Sequence, residues 1–135
     1  MAIPLAVLDA SAALALVLAE EEGDAVARAI EKTVSANGQL FVPAIFWYEL
    51  GNGLLNAERR GRMKRETIAT AGKLLDQLPI VTHAASDGAD RQRIHELAHR
   101  HDLNFYDASY LELALRHQAV LTTCDAHLLD LKGTF

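Results

Sequence analysis

Leu5-Ala6-Val7-Leu8-Asp9-Ala10-Ser11 decides how the rest of the chain is read. Its first four residues are apolar and predict a short buried strand. The acid, the small residue and the hydroxyl that follow lead into the apolar run Ala12–Ala19, which predicts a helix. A strand that ends in Asp and turns directly into a helix sets that carboxylate at the carboxyl edge of a sheet. In open α/β sheets this is the edge where ligands bind, at the point where the strand order reverses. Ser11 is expected to cap the helix, leaving free N–H groups and a positive dipole end close by. Taken alone, Asp9 reads as a second capping residue. Other acids must join it to make a site.

Outward from this stretch the pattern alternates helix and strand. Val26, Ala29, Ile30 and Val34 recur at helical spacing before the stop at Asn37-Gly38, and Leu40-Phe41-Val42 is a strand closed by Pro43. Helices are expected from about 44 to 60, ended by Gly61, and from about 65 to 78, with Ile68, Ala71, Leu75 and Leu78 on one face. Pro79 introduces the strand Ile80-Val81-Thr82, and Ser86-Asp87 is expected to start a helix whose buried stripe is Ile94, Leu97 and Ala98. Asp107 is expected to begin the next helix, which carries Tyr110, Leu111, Ala114 and Leu115. The last strand is Ala119 to Thr122, with Asp125 leading into a short final helix. Short apolar strands separated by helices predict a parallel sheet covered on both faces, a three-layer α/β/α sandwich. No repeat, linker or low-complexity tract divides the chain, so residues 1–135 are expected to form one domain.

Composition narrows the function. Half of the 135 residues are hydrophobic and 23% are charged, a globular balance. A net charge of −5 leaves no bulk basic surface for nucleic acid, so phosphate binding must be local or carried by metal ions. The single Cys124 excludes an internal disulfide and fits a reducing compartment. The apolar start has no preceding Lys or Arg, is interrupted by Pro4 and Asp9, and ends at Glu20-Glu21-Glu22. It is too short and too polar to span a bilayer, and a cytoplasmic protein without membrane contact is expected.

Three further acids occupy comparable places. Asp125 follows the last strand, Asp107 stands at a helix start, and Glu49 lies on the 44–60 helix with Asn52 and Asn56 on one polar stripe. Each has a plain reading as a solvated or dipole-complementing residue. If all four converge, their repulsion is relieved by retained protons or by a cation. An oxygen-only set suits Mg²⁺ or Mn²⁺, ions that activate water and neutralise the charge developing on a phosphodiester.

In sequence order, Val7-Leu8-Asp9-Ala10-Ser11-Ala12, Tyr48-Glu49-Leu50-Gly51-Asn52, Tyr106-Asp107-Ala108-Ser109-Tyr110-Leu111-Glu112-Leu113-Ala114 and Thr123-Cys124-Asp125 resemble the motifs of PIN-domain ribonucleases, and among these the VapC-like toxins of toxin–antitoxin pairs. The resemblance spans essentially the whole chain. It implies a PIN-like fold and Mg²⁺- or Mn²⁺-dependent hydrolysis of single-stranded RNA that leaves a 5′-phosphate. Carried over, Asp9, Glu49, Asp107 and Asp125 become the acidic cluster. Asp9 and Asp107 are the first choice as direct metal ligands. Glu49 and Asp125 bind directly, bind through water, or orient the nucleophilic water. Ser11, Asn52 and Thr123 match supporting polar positions. The resemblance further implies a homodimer and a cognate antitoxin that seats a segment in a groove near the site.

Other features compete for attention. His95-Glu96-Leu97-Ala98-His99 satisfies H-E-x-x-H on a helix, the spacing of a zinc hydrolase, but Asp102 and Phe105 stand where the extended motif needs Gly and His. An exposed His-rich helix accounts for it, with Glu112 the one candidate third ligand. A non-catalytic module that only binds an antitoxin is a rival of a different class, and the intact acid set argues against it. The cluster Arg59-Arg60-Gly61-Arg62-Met63-Lys64-Arg65 is either a solvated run or a guide for RNA phosphates, with Arg59, Arg60, Arg62, Lys64 and Arg65 as candidate contacts. Gly51 and Gly53 weaken a helix interior unless close packing requires them.

Overall fold

The structure, a computed structural model, describes residues 3–85 and 87–131. Four strands, β1 (Leu5–Leu8), β2 (Gln39–Pro43), β3 (Ile80–His83) and β4 (Val120–Thr122), form one sheet in the order β3-β2-β1-β4, and every pair is parallel. The helices are α1 (Ala10–Val17), α2 (Gly23–Ser35), α3 (Ile45–Arg59), α4 (Arg65–Asp76), α5 (Gly88–His101), α6 (Phe105–His117) and α7 (Ala126–Asp130). Successive strands step outward from β1 to β3, and the chain then returns to place β4 on the other side of β1. Right-handed crossovers therefore put α1–α4 on one face and α5–α6 on the other. The packing agrees. Helix α1 lies against α2 and α3, whereas α6 lies on β1, β2 and β4 with α5 outside it. This is the expected α/β/α sandwich.

The core explains why both faces had to be covered. Val7, Leu8, Leu40 and Val42 are almost wholly buried, and Phe46 from α3 and Tyr110 and Leu113 from α6 fill the layers above and below. A central strand buried on both faces reads as a continuous apolar run, which is how Leu5–Leu8 appears in the sequence.

Several boundaries differ from the sequence-based expectation. Asp9, not Ser11, caps α1: its Oδ1 accepts the Ser11 N–H at 3.0 Å. The strand ends at Leu8 and the helix starts at Ala10, so the Asp9 carboxylate reaches the free N–H groups first. Helix α6 begins at Phe105, because Asn104 Oδ1 accepts the Asp107 N–H at 2.8 Å, and Asp107 is the third helical residue rather than the first. Asp87 caps α5 through the Ala89 N–H at 2.7 Å, while Ser86 lies outside the described residues. Helix α4 stops at Asp76, two residues short of Leu78. Helices α5 and α6 end on left-handed Asp102 and Gln118, where no glycine announces the stop. Among the described residues no helix is long and apolar enough to cross a membrane.

Candidate functional site

The strand order reverses between β1 and β4, and the carboxyl edge there is built by three short segments. Asp9 leaves β1 and its backbone N–H donates to Thr122 O of β4 at 3.0 Å, which ties the two strand ends together. Thr123 and Asp125 follow directly from β4. Burying Asp9, which is 5% exposed, requires donors. Thr123 Oγ1 donates to Asp9 Oδ2 at 2.5 Å, accepts the Asp125 N–H at 2.9 Å and stands 3.3 Å from Ser11 Oγ. Ser11 Oγ in turn accepts the Cys124 N–H at 2.9 Å. Ser11 and Thr123, expected as supporting residues, thus lace the β1 and β4 ends together. Asp125 caps α7, its Oδ1 accepting the Leu128 N–H at 3.2 Å.

Glu49 comes from α3 and is half-buried. Its Oε1 accepts the hydroxyl of Tyr110 at 2.7 Å. Tyr110 is wholly buried, and a buried phenol that finds no partner would be costly. Sequence reading placed Tyr110 on this helix and missed this role. The available signal was its position three residues after Asp107, which sets both on neighbouring parts of the helix surface. Asn52, one turn beyond Glu49, is exposed, and its side chain makes no hydrogen bond among the described residues.

The four carboxylates act on one another. Burial raises the pKa of Asp9, and the charge of Asp125 adds to the rise against the hydrogen bonds from Thr123 and Ser11. Burial likewise raises Glu49, opposed by Tyr110 and reinforced by Asp9 and Asp125. Asp107 is pushed up to about 6, by burial first and then by Asp125, Asp9 and Glu49. As placed, no three or more His, Cys, Asp or Glu side chains among the described residues form a group that could hold a metal ion. Thr123, Tyr110 and the α7 backbone give three of the acids protein donors. The acids are an oxygen-only set under mutual repulsion, the donor chemistry of a hard divalent cation, but their side chains would have to draw together to hold one.

The other candidates separate from this group. His95, Glu96 and His99 are exposed on α5, and His95 packs against Phe105 with ring centroids 4.9 Å apart. Glu112, the conceivable third zinc ligand, is buried and held by Arg116 Nε at 2.9 Å and by Arg93. Of the basic cluster, Arg62 pairs with Glu20 at 3.2 Å and Arg65 with Glu58 at 3.3 Å, both at the surface. Arg60 and Arg62 line a cleft of about 400 Å³ that reaches Ser11 and Cys124, and Glu20 and Glu22 share its wall. Arg59, Lys64 and Arg65 lie outside that cleft.

The chain matches no curated protein. Its structure is similar to the crystal structure of PAE2754 from Pyrobaculum aerophilum, with a TM-score of 0.69 and 26% sequence identity, over 95% of this chain and 79% of that one. The PIN domain model matches residues 6–133, a span that takes in all four acids and both ends of the sheet edge they share. PIN domains are generally metal-dependent nucleases. By that match, the chain belongs to the PIN domain family.

Proposed function

We propose that the protein is a Mg²⁺- or Mn²⁺-dependent endoribonuclease of one domain, 1–135, acting in the cytoplasm as the toxin of a toxin–antitoxin pair. The observation that carries the reading is the mutual electrostatic coupling of Asp9, Glu49, Asp107 and Asp125 at the switch point of the sheet. Asp9 and Asp107 would hold the ion, with Glu49 and Asp125 completing its shell or orienting water. When bound, the ion supplies a polarised water and neutralises charge on the scissile phosphodiester. The protein's own part is to keep these groups in place. Thr123 and Ser11 fix Asp9, and Tyr110 fixes Glu49. The cleft lined by Arg60 and Arg62 supports a path for RNA phosphates toward the acids, with Arg59, Lys64 and Arg65 adding a more distant attraction.

An apolar cleft of about 660 Å³ between α1, α2 and α4, with Leu74 largely exposed in its wall, supports an antitoxin as protein partner. A homodimer completes the assembly we propose, on the strength of the family resemblance.

The test is cleavage of unstructured RNA with Mg²⁺ or Mn²⁺ by the wild type, Asp9→Asn and Asp107→Asn. Cleavage by the wild type alone is expected, and equal activity in all three would sink the assignment. Growth arrest on expression, relieved by a small protein encoded beside it, tests the toxin role.

A further inference from the structure

A pocket of about 150 Å³ opens beside the acidic site, between the ends of β2 and β3 and the helices α5 and α6. Ile45, one turn before Glu49 on the same side of α3, forms one wall, and Tyr106, the residue before Asp107, forms another. Its volume is about half the lower bound for drug-sized ligands, roughly 300 Å³, which suits one planar ring system. Tyr106 is 54% exposed, and Ser109 Oγ donates to its carbonyl at 2.6 Å, holding the first turn of α6. Deeper in, Glu112 is 3% exposed and Arg116 Nε donates to it. The Nη groups of Arg116 make no hydrogen bond among the described residues. His83 also lines the pocket, and its Nε2 is buried without a partner.

We propose that this pocket takes one unpaired base of the RNA strand, guanine best, with Tyr106 stacked on its face and the Arg116–Glu112 pair against its edge. The proposal rests on the nuclease reading and specifies its substrate. Proteins that read single-stranded RNA stack splayed bases on aromatic side chains and hydrogen-bond their edges. A guanidinium suits the O6/N7 edge of guanine, and a carboxylate beside it accepts from the ring's donors. The lining is mostly apolar, with Pro43, Ile45, Ile94 and Phe105 in it, and its carboxylates Asp90 and Glu112 are held by Arg93 and Arg116, so the base and not the charged backbone belongs here. The phosphate then faces the acids one step along the strand.

The experiment maps cleavage of a randomised single-stranded RNA pool with Mn²⁺. Wild type is expected to favour guanine at one position flanking the cut. Tyr106→Ala, at an exposed position, is expected to raise KM about tenfold or more with kcat nearly unchanged. The double variant Glu112→Gln/Arg116→Gln is expected to flatten the preference at that position and nowhere else. It removes both charges together, because Arg116→Gln alone would strand the buried Glu112. No base preference in the wild type, or unchanged KM and preference in these variants, overturns the proposal. If the wild type cuts no RNA, the nuclease reading fails, and the pocket is judged by binding. Quenching of 2-aminopurine in a short single-stranded RNA by wild type but not by Tyr106→Ala supports the base site, and absence of quenching overturns it.

Discussion

The hydroxyl of Tyr110 donates to Glu49 Oε1 at 2.7 Å and so joins α6 to α3, helices on opposite faces of the sheet. Burial, the hydrogen bond to Glu49 and that residue's charge hold the phenol far above its usual pKa, so it remains a donor at every pH at which the fold survives. Glu49 is thereby fixed in one rotamer at the edge where the other acids stand.

Tyr110→Phe removes the donor and keeps the ring. Without that hydrogen bond the pKa of Glu49 rises further, since the bond opposes the effect of burial. The acid limb of the pH–rate profile for RNA cleavage is expected to move to higher pH. The urea midpoint should fall by an amount equivalent to about 1 kcal/mol. An unmoved acid limb would show that Glu49 is not governed by this bond.

The raised acids set the sign of a stability effect. Asp107 binds its proton more tightly folded, with a pKa of about 6, than unfolded near 3.8. Its stabilising contribution is therefore complete below about pH 3.8 and is lost as pH rises through 6. At pH 7.5 the metal-free protein carries the full repulsion, and millimolar Mn²⁺ is expected to raise Tm, with the gain shrinking as pH falls through 6. Asp107→Asn should raise Tm in EDTA and abolish the response to Mn²⁺. Thermal melts across pH with and without the ion read both effects.

His83 acts in the opposite sense. Burial, then the neighbouring charges of His117 and Arg116, lower its pKa, and only Glu112 opposes them. The stability it lends is present above about 6.5 and is lost as pH falls through the lower folded value. Its ring lies 4.8 Å from Phe41 and 5.0 Å from His117, centroid to centroid. His83→Phe is expected to remove part of the acid sensitivity of folding, measured as a smaller drop in Tm between pH 7 and pH 5.

Gly51 and Gly53 look alike in the sequence and should behave differently. A Cβ on Gly53 would lie 2.5 Å from Leu14 Cδ1 and 2.8 Å from Cδ2, whereas one on Gly51 meets nothing within 4 Å. Gly51→Ala is expected to stabilise by about 0.5–1 kcal/mol through helix propensity alone. Gly53→Ala must first push the half-buried Leu14 side chain aside between α1 and α3, which offsets part of that gain. In denaturant melts Gly51→Ala should be the more stabilised of the two.

Thr123→Val keeps the shape and deletes the hydroxyl that serves Asp9 and the Asp125 N–H at once. A loss of about 1–3 kcal/mol in folding stability is expected, because a buried carboxylate is left short of a donor. Cleavage should fall with it, and restoring the hydroxyl as Thr123→Ser should recover both.

How much was legible in the sequence follows from the range of the forces involved. The four strands and their helices appear in the spacing of apolar residues, because the central strands β1 and β2 are buried as near-continuous runs and the helices as stripes. Helix ends were less legible, since Asn104 and Asp107 are both good caps and only the turn itself decides between them. Asp9, Glu49, Asp107 and Asp125 could be picked out because they fall in four motifs in the expected order, although each alone reads as a capping or solvated acid. Tyr110 could not, because its partner lies 61 residues away and a buried aromatic looks the same with or without one. Glu112 was similarly opaque: an acid in a buried stretch gives no hint that two arginines on different helices will neutralise it.

The pairing of β1 with β4 has a consequence for the order of synthesis. Residues 5–9 leave the ribosome well before residues 123–125, which steady Asp9 and complete its acid set. At about 5–20 residues per second, a growing chain spends several seconds with the first half of the site exposed and the second half unmade. A protein assembled this way carries its own delay. The acid set cannot be complete until β4 has slid in next to β1.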